Sequence, residues 1–167
     1  MRESLVIANI YGLVRPHRDD SKILLQERWK PDTDPLNSGK LELPGGKWQA
    51  FESAHDCLRR EVQEETSVVV NFVDQPLISH QIRADVLVET SQPIMISQMV
   101  AGPYPSVLLV YSCEGIGEPK EGGDGSRYPR WWPLSEVKKL IESDLERFTP
   151  LTFAVLKHYF AIHSERK

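Results

Sequence analysis

The sequence predicts an α/β domain built on a mixed β-sheet with helices packed against it. Three observations lead there. Apolar, β-branched runs come first, a single helical segment interrupts them, more such runs follow, and two helical segments close the chain. The 167 residues, 40% hydrophobic and 26% charged, have the makeup of an ordinary globular protein, with chain enough to bury a core. No repeat, low-complexity tract or linker divides them, so residues 1–167 read as one domain.

Leu5 to Val14 is rich in Val, Ile and Tyr and reads as a strand. Arg15 to Ser21 is a turn, and Ile23 to Trp29 a second strand expected to form a hairpin with the first. Lys30 to Lys40 holds two prolines, an Asn and a Gly and reads as a loop, from which Leu41-Glu42-Leu43 leads into Pro44-Gly45-Gly46. A helix is expected from Ser53 to Thr66, capped through Ser53-Ala54-His55-Asp56. Strands are expected over Val68–Val73, Pro76–Val88, Pro93–Val100 and Val107–Cys113, and a glycine-rich loop over Gly115–Tyr128. Trp131 and Trp132 then precede a short helix near Ser135 to Glu142. Thr149-Pro150 opens the last helix, Thr as N-cap and Pro at the first helical position.

Composition narrows the function classes. A net charge of -4 and a pI near 5.7 argue against general nucleic-acid binding. A polyanionic substrate would therefore need local cations. Cys57 and Cys113 lack CxxC spacing and read as buried, reduced thiols. The apolar run near the N-terminus is broken by Asn9 and lacks a cleavage site, and no run approaches the ~18 residues of a membrane helix. A cytoplasmic location is expected.

The chemistry is concentrated between Gly46 and Val68. Gly46, Glu52, Arg60, Glu61, Glu64 and Glu65 hold a spacing that chance supplies in roughly one chain in 100,000 of this length. At about 100° per residue, Ala54, Cys57 and Leu58 define the apolar face of the helix. Glu61 and Glu65 project into the same sector and Glu64 lies at its edge. Like charges three and four residues apart repel, and they crowd the helix end where the macrodipole disfavours anions. Hard divalent cations with oxygen ligands answer that need. Upstream, consecutive glycines at Gly45-Gly46 let the backbone approach another group closely.

Gly46 to Glu65 resembles the Nudix box, with Cys57 and Leu58 at its small and aliphatic positions. The resemblance implies an α/β/α sandwich in which the box forms a loop–helix–loop. It implies hydrolysis of a phosphoanhydride bond in a nucleoside diphosphate linked to another moiety, with Mg²⁺ or Mn²⁺. Carried over residue by residue, Glu61, Glu64, Glu65 and the Gly45 carbonyl are the expected metal ligands. Arg60 orients a glutamate and Glu52 supports it. The proton of the attacking water goes to Glu64 or Glu65, or to an acid of the loop bearing Glu118, Glu121 and Asp124. Arg28, Lys47 and Trp48 are candidate substrate contacts, as are Tyr128, Arg130, Trp131 and Trp132 for stacking or phosphate binding.

Two residues depart from the family pattern. Ser67 stands where a Gly usually caps the helix, and Phe51 where a Gly often precedes the Glu. The downstream markers of the ADP-ribose and dinucleoside-polyphosphate subfamilies are absent. The expected partner is a small-molecule nucleotide, with no membrane contact, and a homodimer is left open. A non-catalytic nucleotide-sensing domain on the same fold is the rival reading.

Overall fold

The computed structural model describes residues 5–123 and 125–164. Strand β1 (Ile7–Pro16) runs parallel to β9 (Ser106–Ile116) along its whole length and antiparallel to the short β4 (Gly45–Lys47). The other edge of β9 is shared end to end by β5 (Val69–Val73) and β8 (Met95–Gln98). A second sheet has the order β10 (Ser126–Pro133), β2 (Lys22–Arg28), β3 (Leu41–Glu42). A two-stranded ribbon, β6 (Leu77–Arg83) and β7 (Val86–Ser91), stands apart from both.

Helix α1 (Ala54–Thr66) packs over Ile10, Val14, Leu24 and Tyr111 through Leu58 and Val62. On the opposite side α2 (Leu134–Ser143) and α3 (Pro150–Ser164) close a second core around Leu13, Leu25, Leu43, Val110, Phe148 and Leu156. The predicted mixed-sheet α/β/α layering is therefore present. No helix among the described residues is long and apolar enough to cross a membrane.

Three expectations are corrected. β1 and β2 do not form a hairpin, because both edges of β1 are taken by β4 and β9 and those of β2 by β3 and β10. The stretch read as one strand from Pro76 to Val88 is folded back on itself at Ala84-Asp85 into the ribbon. The Gly115–Tyr128 loop is shorter than expected, since β9 continues to Ile116 and β10 starts at Ser126. Trp131 and Trp132 precede α2 as expected and lie inside β10, where Trp132 faces the core and Trp131 packs toward α1.

Arg15 ties the far end of β1 to its neighbours. Its guanidinium grips both Asp74 oxygens at 2.8 Å and Glu114 at 3.0 Å, and the Ser112 hydroxyl donates to Asp74 at 2.5 Å. Burial pushes the Asp74 carboxyl up, but the bonds from Arg15 and Ser112 outweigh it and hold the group below the usual range. A lowered folded-state pKa contributes stability at neutral pH that disappears as pH falls through the acid range. Asp74→Asn should thus cost about 1 kcal/mol at pH 7. In urea melts the difference from wild type should vanish below about pH 3.

Candidate functional site

Helix α1 begins at Ser53, whose hydroxyl accepts from the Asp56 amide at 3.1 Å. It ends at Ser67, which adopts the left-handed cap conformation (φ 61°) and returns its N–H to the Gln63 carbonyl. Serine thus takes the conformation ordinarily left to Gly, at a cost of order 1 kcal/mol. Phe51, the other departure, also has positive φ (61°) and projects fully into solvent.

Between these ends the glutamates separate as the helical projection requires. Glu65 is half-buried against the loop: its Oε2 accepts from Gln26 Nε2 at 2.6 Å and from the Gly45 amide at 3.0 Å. Glu61 lies beside Gly46, so closely that an ideal Cβ on that glycine would sit 2.5 Å from the Glu61 carboxyl carbon. Glu64, one position before Glu65, is 59% exposed. Arg60 reaches back along the helix, with Nη1 2.6 Å from Glu61, Nε 2.7 Å from Glu52, and Glu64 at 3.4 Å. Glu52 is held below its ordinary pKa chiefly by this bond.

Gly45 is the residue the backbone cannot replace. It sits at φ 149°, and a Cβ there would meet the Ile10 carbonyl and lie 2.7 Å from Tyr11 Cα. The close antiparallel register of β4 on β1 brings the loop to α1 by this route.

Two polar residues that sequence reasoning missed stand behind Glu65. Gln26 and Glu42 face each other across the β2–β3 ladder and are both buried. Burial raises Glu42 well above the carboxylate range, only partly offset by Arg28 at 3.5 Å. Burial first, and then the charge of Glu42, raises Glu65 likewise. The buried Gln26 Oε1 atom has no hydrogen-bond partner among the described residues. The ladder register that gathers these residues joins positions sixteen apart, and no local motif announces it.

The donor set suits a hard cation. Glu61 lies against Gly46 and Glu65 accepts from the Gly45 amide, so both bring oxygens to this turn, and burial together with the charge of Glu42 raises the Glu65 carboxyl, which a cation beside it would relieve. Among the described residues no three acidic, imidazole or thiol groups already converge in metal-binding geometry. Glu61 is engaged by Arg60, Glu65 by Gln26 and the Gly45 amide, and Glu64 faces solvent.

The other predicted contacts are dispersed. Arg28 is pinned between Asp34 (2.5 Å) and Glu42. Lys47 is exposed on β4, and the Trp48 indole donates to the Glu52 carbonyl at 2.8 Å. Arg130 covers Trp132, 3.6 Å from its ring centre. A cluster at the ends of β2 and β10 was only partly foreseen: the Arg127 guanidinium lies 3.3 Å over Trp29 and 4.9 Å from Tyr128. Trp29 and Tyr128 are 42% and 60% exposed. The loop before them abuts the end of α1, with Lys120 N–H donating to the Thr66 carbonyl at 2.8 Å and Gly122 packed on the Glu64 carbonyl. Within that loop Glu121 accepts from the Tyr128 amide, Glu118 is exposed, and Asp124 lies outside the described residues. A cavity of about 710 Å³ near Arg15 and Tyr159 includes none of the box residues.

The family model for the NUDIX domain matches residues 8–152. The chain belongs to the Nudix hydrolase family. Solved Nudix structures share its fold. The MutT protein of Methanosarcina mazei superposes with a TM-score of 0.68 at 18% identity, covering 100% of both chains. The MutT Nudix hydrolase of Burkholderia pseudomallei gives 0.61 at 20% identity, over 92% of this chain and 98% of that one. The Nudix domain of Shewanella oneidensis NrtR, solved with ADP ribose, gives 0.60 at 18% identity, over 99% and 91%. No curated protein matches the chain significantly in sequence.

Proposed function

We propose that this Nudix domain, spanning residues 1–167, hydrolyses a phosphoanhydride bond in a nucleoside diphosphate linked to another moiety, using Mg²⁺ or Mn²⁺ and water. The observation that carries the reading is the pair of shielded carboxylates, Glu61 and Glu65, held against Gly45-Gly46 with the exposed Glu64 beside them. Glu61, Glu64, Glu65 and the Gly45 carbonyl would hold the metal. When bound, it would neutralise the diphosphate and acidify water.

The chain's own residues have separate tasks in this reading. Arg60 steers Glu61 through its 2.6 Å bond and is itself fixed by Glu52. Gln26 and the Gly45 amide set the direction of the Glu65 carboxylate. Glu64 is 59% exposed and, among the described residues, has only the long contact to Arg60, which leaves it able to take a proton from the attacking water. The exposed Lys47 would meet phosphate. Trp29 and Tyr128 supply stacking surface for a base, their cationic partner Arg127 being anchored by Glu27 at 3.3 Å.

The test is a panel of nucleoside triphosphates, nucleotide sugars, ADP-ribose and dinucleoside polyphosphates with Mg²⁺, run on wild type and Glu64→Gln. We expect turnover of at least one class and a fall of about 10²–10⁴-fold in kcat for the variant. Trp29→Leu should raise KM for that substrate while changing kcat little. Absence of turnover across the panel, or an equally active Glu64→Gln, would refute the hydrolase reading.

A further inference from the structure

Helix α1 buries an imidazole for which the proposed hydrolysis has no use. His55, in the first turn, is 6% exposed, and its Nε2 atom is buried with no hydrogen-bond partner among the described residues. The ring packs edge-on against Tyr111 of β9, with ring centres 5.4 Å apart and planes at 82°. Tyr111 is itself buried, and its Oη lies 2.6 Å from the Oγ of Ser91, the last residue of β7. His55, Tyr111 and Ser91 thus form a chain of contacts from the start of α1 to the base of the ribbon.

The ribbon has little else to hold it. β6 and β7 pair only with each other, and of their residues only Leu77, Val86 and Ser91 are even half-buried. A two-stranded ribbon by itself is marginal in water.

The setting of His55 suits a neutral ring and not a cation. Burial lowers its pKa below the ordinary histidine value, and Arg59 one turn along the helix lowers it further. Asp56 on the same helix and Glu89 on β7 act the other way without outweighing them. β9 presents the uncharged Tyr111 ring. Glu89 is exposed and accepts from the Ser79 hydroxyl at 3.1 Å. The remaining histidines, His17, His80, His158 and His163, are exposed.

We propose that His55 is an acid-sensitive latch: neutral, it packs on Tyr111 and steadies the base of the ribbon, and on taking a proton it leaves that site and frees the ribbon from the body of the domain. The cation gains hydration by leaving. Tyr111 then loses the ring that backs it, and its bond to Ser91 stands alone. With the pKa lowered in the closed form, the latch is at full strength above the ordinary histidine value of about 6.5 and weakens as pH falls below it. A released ring titrates near pH 6.5, so the open form should gain about tenfold on the closed one by about pH 5.5.

Hydrogen–deuterium exchange on the full chain at about pH 7.5 and about pH 5.5, corrected for the intrinsic pH dependence of exchange, provides the test. In wild type the amides of β6 and β7 should lose about tenfold in protection at the lower pH, while those of β1 and β9 keep theirs. His55→Phe keeps a ring against Tyr111 and cannot take a proton, so its ribbon should be equally protected at both. His80→Gln, which removes the exposed ribbon histidine, should behave as wild type. Should His55→Phe fail to fold, an NMR titration of wild type takes its place: the His55 ring and the ribbon amides should shift with a common midpoint. Wild-type ribbon protection that stays level or rises in acid overturns the proposal, a rise meaning that Glu89 captures the imidazolium. So does a loss shared equally by β1 and β9, a His55→Phe ribbon that still loosens in acid, a His80→Gln ribbon that no longer responds, or separate midpoints for ring and ribbon.

Discussion

Gly46→Ala should fold and yet lose at least about 10²-fold in kcat/KM. The added methyl would overlap the Glu61 carboxylate, whose atoms are its nearest neighbours. That carboxylate is the far end of a flexible side chain, so it can swing aside at small cost to the fold. In doing so it leaves Arg60 and the cradle by Gly45-Gly46. The neighbouring glycine offers the opposite case. At Gly45 the obstacle is backbone, the Ile10 carbonyl and Tyr11 Cα, and φ is 149°. Gly45→Ala should therefore destabilise the protein by about 2–3 kcal/mol in addition to impairing the site. Urea melts alongside steady-state kinetics would separate the two. If Gly46→Ala loses as much stability as Gly45→Ala, or keeps full activity, the position of Glu61 is not what Gly46 protects.

Arg60→Met should weaken the metal-free protein and enlarge its response to Mg²⁺. The guanidinium is the counter-ion to Glu52 and Glu61 at 2.7 and 2.6 Å and lies near Glu64. Methionine keeps most of the side-chain length and removes the charge. With the carboxylates unpaired, the apo protein should lose about 1–2 kcal/mol, a figure reduced by the partial exposure of the cluster. A divalent cation then relieves more repulsion than in wild type, so the thermal midpoint should rise further on adding Mg²⁺. Activity should fall about 10–100-fold at saturating metal, because Glu61 is no longer steered. Differential scanning fluorimetry across a Mg²⁺ titration is the measurement. A variant with the wild-type midpoint and the wild-type metal response would show that Arg60 does not balance these charges.

Much of the candidate site was legible in the linear pattern because it lies on one helix and the turn before it. A period of 3.6 places Glu61 and Glu65 with Cys57 and Leu58, and the structure finds both glutamates shielded and Glu64 at the rim. The cap at Ser53 is equally local, and Ser67 takes the left-handed geometry that its position demands. What stayed hidden depends on strand register. Glu42 and Gln26 read as unremarkable strand residues until β3 pairs with β2 and sets them behind Glu65. Trp29 meets Arg127 only because β10 joins the other edge of β2.

The α/β class, the acidic helix with its glycine turn and the family resemblance could all be read from the linear chain, since each rests on neighbours within a few helical turns. Which strands share an edge, which carboxylates are desolvated and which apolar faces stay open emerged with the folded chain. Edge choice and burial are properties of long-range pairing. A strand's own residues fix its alternation but do not say which strand lies beside it. The ribbon makes the point: its alternation is plain once the turn at Ala84-Asp85 is known, and its lack of a cover appears only in the folded chain.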